Sequence, residues 1–126
     1  MEAVTIRGKL PGLNEYIEAC RTNSKKGNRM KQNAERMIAA QVGRMEPVRE
    51  RCTVHLIWHE KDRRRDPDNV AFAKKFLLDA LQHCGKIPND SSRYIAGFTD
   101  SFEYGGDYGV TLRFETEAEH ERLDPD

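Results

Sequence analysis

Apolar residues recur along this chain with two different periods, and the switches between them mark out its elements. Residues 51–60 alternate, with Cys52, Val54, Leu56 and Trp58 on one side and Thr53, His55, Ile57 and His59 on the other. That period of two predicts a strand, and its mixed second side predicts partial burial there. Further on, Val70, Ala73, Leu77, Ala80, Leu81 and Cys84 follow the spacing of one helical face, with Gly85 where a left-handed C-terminal cap belongs. The N-terminus of this helix falls at residues 66–69, and at 1.5 Å per residue its body spans roughly 25 Å.

The rest of the pattern is shorter-ranged. Residues 3–9 read as a strand closed by Leu10-Pro11-Gly12, and Leu13, Tyr16, Ile17 and Cys20 then have helical spacing. Residues 23–28 read as a polar break, after which Met30, Ala34, Met37, Ile38 and Val42 resume a helical stripe that ends near Gly43. Two more strands are expected at residues 94–102 and 108–114, joined as a hairpin through Tyr104-Gly105-Gly106-Asp107. The expected fold is therefore α/β (α+β): one small domain over residues 1–115, a mixed β-sheet of about four strands, and two main helices packed on it. Residues 116–126 form an acidic tail, and from Glu115 onward the chain is expected to fray.

Composition narrows the class. A chain of 126 residues suits one domain, and 37% hydrophobic residues with a mean hydropathy of −0.82 describes a globular protein with a heavily charged surface. No apolar run is long enough to span a bilayer and the first residues lack a signal-like stretch, so a cytoplasmic location is expected. Cys20, Cys52 and Cys84 are widely spaced within apolar patterns and read as reduced core residues. The formal net charge is zero, yet residues 1–75 carry seven more Lys and Arg than Asp and Glu, and residues 76–126 carry seven fewer. Charges separated in sequence are often interleaved in space, so this asymmetry alone does not establish a basic face.

The densest chemistry lies at Arg63-Arg64-Arg65-Asp66-Pro67-Asp68-Asn69, where three guanidiniums abut two carboxylates one residue apart. A structural account exists: Asp at the N-cap, Pro at N1 and an acid in the first turn are a strong helix start. It leaves the second carboxylate, the arginine run and the later Asn89-Asp90 unexplained. A functional account starts from Mg²⁺, which takes oxygen ligands, usually one or two protein carboxylates with water and substrate phosphate. On that account Arg63, Arg64 and Arg65 engage flanking phosphates, and Lys25, Lys26, Arg29 and Lys31 form a second backbone-gripping patch in a Gly-containing loop. His55 and His59 lie about 13 Å apart on an extended strand, too far to share one metal. Trp58, Phe72 and Phe76 have core spacing.

The ordered set Arg63 to Asn69, Lys74-Lys75, Asp79-Ala80-Leu81 and Asn89-Asp90, preceded by Leu10-Pro11-Gly12-Leu13-Asn14-Glu15-Tyr16, resembles RusA-type Holliday junction resolvases, small endonucleases often encoded by phages and prophages. The resemblance covers residues 3 to about 114. It implies a homodimer that cuts two strands of four-way branched DNA symmetrically in recombination and repair. It also implies Mg²⁺, with Mn²⁺ as a substitute, held by Asp66, Asp68 and Asp90, and no organic cofactor or membrane. A lysine on the following helix adds positive charge near the phosphate. Lys75, four residues before Asp79, fits that place, and Lys74 lies on a different helix face. Two other readings stay open: a different Mg²⁺-dependent phosphoryl-transfer enzyme using the same acids, or a non-catalytic DNA-binding module in which Asp66 only caps the helix.

Overall fold

The computed structural model describes residues 2–119. Eight elements follow one another: β1 (Val4–Arg7), α1 (Leu13–Thr22), α2 (Ser24–Ala39), β2 (Cys52–Glu60), α3 (Pro67–Ala71), α4 (Lys74–His83), β3 (Ile95–Tyr104) and β4 (Gly109–Thr116). The four strands form one mixed sheet in the order β1-β4-β2-β3. It carries helices against it in an α+β arrangement.

β2 is the axis of the fold. Its even-numbered residues are buried and its odd-numbered ones half-buried, as alternation requires of a strand covered on one face. Val54, Leu56 and Trp58 join Ile38 of α2, Phe76, Leu77 and Leu81 of α4, and Val110, Leu112 and Phe114 of β4 in one core. Tyr16, Phe72 and Phe76 add an aromatic cluster, with centroids 5.3 to 5.6 Å apart, that fastens α1 to α3 and α4.

The expected hairpin does not form. β3 and β4 lie on opposite sides of β2, β3 parallel to it and β4 antiparallel. Residues 105–108 therefore carry the chain past the end of β2, where the Gly105 N–H donates to the Glu60 carbonyl. The turn composition there is genuine, but it bridges two strands that have a third between them.

Three other expectations shift. The polar stretch at 23–28 opens α2: Asn23 is its N-cap, and its side chain accepts the Lys26 N–H at 2.7 Å. The long helix expected after Asp66 is two helices, α3 and α4, joined through Phe72 and Ala73, where the Ala73 and Lys75 N–H groups bond three residues back rather than four. Its far end is as the pattern predicts: the Gly85 and Lys86 N–H groups donate to the carbonyls of Gln82 and Leu81, a Schellman cap. Glu115 and Thr116, expected in the frayed tail, belong to β4 and pair with Thr53 and Cys52, and Arg51 meets Glu117 at 2.6 Å. The remainder of the expected tail, 120–126, lies outside the described residues.

Of the cysteines only Cys52 is buried, and burial pushes its thiol up to about 11. Cys20 and Cys84 are exposed, which corrects the expectation that all three are core. Among the described residues, no helix is long and apolar enough to cross a membrane.

Candidate functional site

The acid-bearing loop leaves the end of β2, and a buried ion pair sets its course. Glu60 is 4% exposed because it continues the buried even-numbered face of β2. Arg65 folds back over it, donating from Nε to Oε1 at 2.9 Å and from Nη2 to Oε2 at 2.8 Å. Its remaining amino group donates to the Leu10 carbonyl at 2.9 Å and to Glu15 Oε1 at 3.3 Å. The Arg65 pKa is raised above its usual value, first by the hydrogen bond to Glu60 and against the cost of burial.

A second tie lies four residues on, where Asn69 Oδ1 accepts the Asn14 N–H at 2.9 Å. Gly12 permits this approach, since a Cβ there would sit 2.8 Å from Asn69 Oδ1. The two segments singled out in the sequence, 10–16 and 63–69, thus meet in space.

The three arginines consequently divide. Arg65 holds the loop to the sheet and the N-terminal segment, so its donors are already engaged within the fold. Arg63 stacks over Tyr104 at 4.2 Å and Arg64 extends outward, 89% exposed, beside Asp62 at 3.5 Å. These two are the ones that face solvent.

Asp66 occupies the N-cap of α3 in an extended conformation, φ −66° and ψ 152°, with Pro67 following, yet its side chain makes no cap hydrogen bond. The backbone takes up the helix start without the carboxylate. Asp68 Oδ1 accepts only its neighbour's N–H, that of Asn69, at 3.0 Å. Neither acid forms an ion pair among the described residues.

Asp90 returns along α4 to its first turn, where Lys75 Nζ lies 3.4 Å from Asp90 Oδ2 and 3.1 Å from Asp79 Oδ1. Asp79 also meets Lys31 of α2 at 3.3 Å. The Lys75 ammonium is held above its usual pKa, chiefly by the hydrogen bond and charge of Asp79 and secondarily by Asp90. Lys74 points elsewhere, 2.8 Å from Asp100 Oδ2 and over the Phe98 ring at 4.4 Å. Lys75 is therefore the lysine brought to Asp90.

The carboxylates suit a hard divalent cation in kind, since Asp66 and Asp68 are uncommitted to any cation and one or two protein carboxylates suffice for Mg²⁺. Asp90 is not drawn into a cluster with them: among the described residues, no three His, Cys, Asp or Glu side chains group so as to hold a metal.

Of the second basic patch, Lys25, Lys26 and Arg29 lie on the opening turns of α2 rather than in a loop, and Lys31 is tied to Asp79. Two residues had no mark in the sequence. Glu60 is legible only as the next even position of β2. Asp100 bridges Lys74 and the Trp58 indole N–H, which donates to its Oδ1 at 2.8 Å. His55 and His59 tie strands together through Thr99, Glu115 and Thr111. No protein-family model and no curated protein matches this chain.

Proposed function

We propose that the protein is a Mg²⁺-dependent endodeoxyribonuclease that resolves four-way branched DNA, working in the cytoplasm as a homodimer. The observation that carries the reading is the state of Asp66. A carboxylate at a helix N-cap ordinarily accepts a backbone N–H, and this one accepts none, so capping does not account for it. It stands one residue from a second unpaired acid and beside two outward arginines.

In this reading Asp66 and Asp68 would hold the cation, and Asp90, which stands at Lys75 rather than with them here, would be the third carboxylate. Mg²⁺ or Mn²⁺, when bound, supplies the Lewis acidity that phosphodiester hydrolysis needs at neutral pH. Arg63 and Arg64 take flanking phosphates, where guanidinium geometry favours paired hydrogen bonds. Lys75 offers its ammonium beside Asp90 and is held there by Asp79 as well. Hydrolysis would join a water oxygen to the phosphorus as the bond from phosphorus to the 3′ oxygen breaks, with one water proton ending on the departing 3′ oxygen.

The test is cleavage of a synthetic four-way junction with and without Mg²⁺ or Mn²⁺, against linear duplex and small phosphate esters. Symmetric paired nicks that need the metal are expected. Asp66→Asn, Asp68→Asn or Asp90→Asn is expected to lower cleavage by on the order of 100-fold or more while junction binding persists. Full cutting by any of the three removes that residue from the site, and hydrolysis of small esters alone points to a different phosphoryl-transfer enzyme.

The pairing of Asp90 with Lys75, apart from Asp66 and Asp68, favours a second reading, a DNA-binding module without catalysis. Titration with Mg²⁺ separates the two, because such a module has no saturable metal site that Asp66→Asn and Asp68→Asn abolish.

A further inference from the structure

The end of β1, Pro11 and one face of α2 enclose an open groove of about 400 Å³. Lys26 lines it together with Arg29, Met30, Asn33 and Met37, which lie three, four, seven and eleven residues on from Lys26, so they share one helical face. Lys9 closes the opposite wall, its ammonium 5.0 Å from the Tyr108 ring centroid. The wall stands this near because of Gly8: its φ is +118°, and a Cβ there would come within 2.6 Å of Met37 Sδ.

The lining is chemically divided. Lys9, Lys26 and Arg29 bring three positive charges, and none forms an ion pair with a carboxylate among the described residues. The floor beneath them is apolar, with the thioethers of Met30 and Met37 half-buried. Asn33 stands exposed among them with an amide that both donates and accepts.

We propose that this groove binds a single nucleotide unit: phosphate against Lys9, Lys26 and Arg29, base over Met30 and Met37, and the base edge on Asn33. A simple anion leaves the apolar floor wet, and an apolar ligand leaves three cations uncompensated; a nucleotide satisfies both. Methionine sulfur packs well against aromatic rings, and the volume falls in the range of small-ligand sites. Pro11 lines the groove, while its neighbours Leu10 and Gly12 touch Arg65 and Asn69. The same short segment therefore borders both the groove and the acid-bearing loop. That the nucleotide comes from a DNA strand rests on the nuclease reading; the groove's affinity for a mononucleotide does not.

The test is a titration of the full chain, labelled at its methionine methyls, followed by NMR. The probes are deoxyadenosine monophosphate, deoxyadenosine, inorganic phosphate and a short single-stranded oligonucleotide. The mononucleotide is expected to shift Met30 and Met37 and to leave the buried Met45 unmoved, which also reports that each variant is folded. Arg29→Glu should weaken binding about tenfold, and Asp66→Asn should leave it unchanged even where cleavage is lost. Equal shifts from phosphate or from the nucleoside, silent Met30 and Met37 methyls, or an Arg29→Glu variant that binds normally would each overturn the site. An oligonucleotide that leaves these methyls unmoved while the mononucleotide shifts them overturns the DNA source.

Discussion

Two cationic regions of this protein are built to opposite rules. Along α4 both lysines have aspartates, and a third lysine joins them from α2: Lys74 meets Asp100, Lys75 meets Asp79 and Asp90, and Lys31 shares Asp79. Around the start of α2, Lys9, Lys26 and Arg29 have none. The fold draws Asp79, Asp90 and Asp100 from the acidic end of the sequence onto lysines of the basic end, as it draws Glu117 onto Arg51, and so cancels part of the charge asymmetry. Lys9, Lys26, Arg29 and Arg63 are among the cations left without a carboxylate among the described residues. The contrast teaches that a surplus counted along a chain says little until the counterions are placed, and that what survives placement is the part able to attract a polyanion.

The comparison breaks hardest at Arg65, the most committed cation. Arg65→Ala leaves Glu60 charged and buried without its partner, and should cost about 3–5 kcal/mol in urea unfolding. A cost below about 1 kcal/mol would place Arg65 with the exposed cations. Asp100→Ala strips the acceptor from the buried Trp58 N–H and from Lys74, for about 1–3 kcal/mol. Asp100→Asn keeps the indole's acceptor and should recover much of that loss.

At α2 the expected signs oppose one another. The helix has no acid in its first turn, and Lys26 stands at the third position after the Asn23 cap. Lys26→Glu completes a capping box and suits the helix dipole, so stability should rise by about 0.5–1 kcal/mol. DNA affinity should fall, with the log-log salt slope shallower by about one. A variant that gains stability at no cost in binding would show the unpaired charge to be incidental. The smallest change should come from Asp79→Asn, which frees Lys31 and leaves Lys75 to Asp90 alone. Their exposed pairs contribute under about 1 kcal/mol each, but the salt slope should steepen by about one.

Elements set by local pattern were readable from the chain, and partnerships were not. The alternation of β2, the helix start at Asp66 and the cap at Gly85 each follow from neighbours within a few residues. The position of β3 does not: Tyr104-Gly105-Gly106-Asp107 has hairpin composition, but alternation in β3 carries no information about which strand lies beside it. The arginine run shows the same limit at the site. Arg63, Arg64 and Arg65 are equivalent as letters, and only the buried Glu60 and the Leu10 carbonyl single out the third. Lys75 separates from Lys74 because the strand bearing Asp100 and the segment bearing Asp90 approach different faces of α4, a fact of tertiary structure.

The parallel pairing of β2 with β3 has one further consequence. Parallel neighbours need a long crossover, and Arg63, Arg64, Asp66, Asp68, Lys75 and Asp90 all lie within this one, between Glu60 and Ile95. The site is therefore nearly a transplantable cassette, hung between two strand ends. It is not self-sufficient, because the Leu10 carbonyl, Asn14 and Glu15, which fasten its entrance, come from the other side of the chain. A graft that moved the crossover alone would carry the acids and leave their clasp behind.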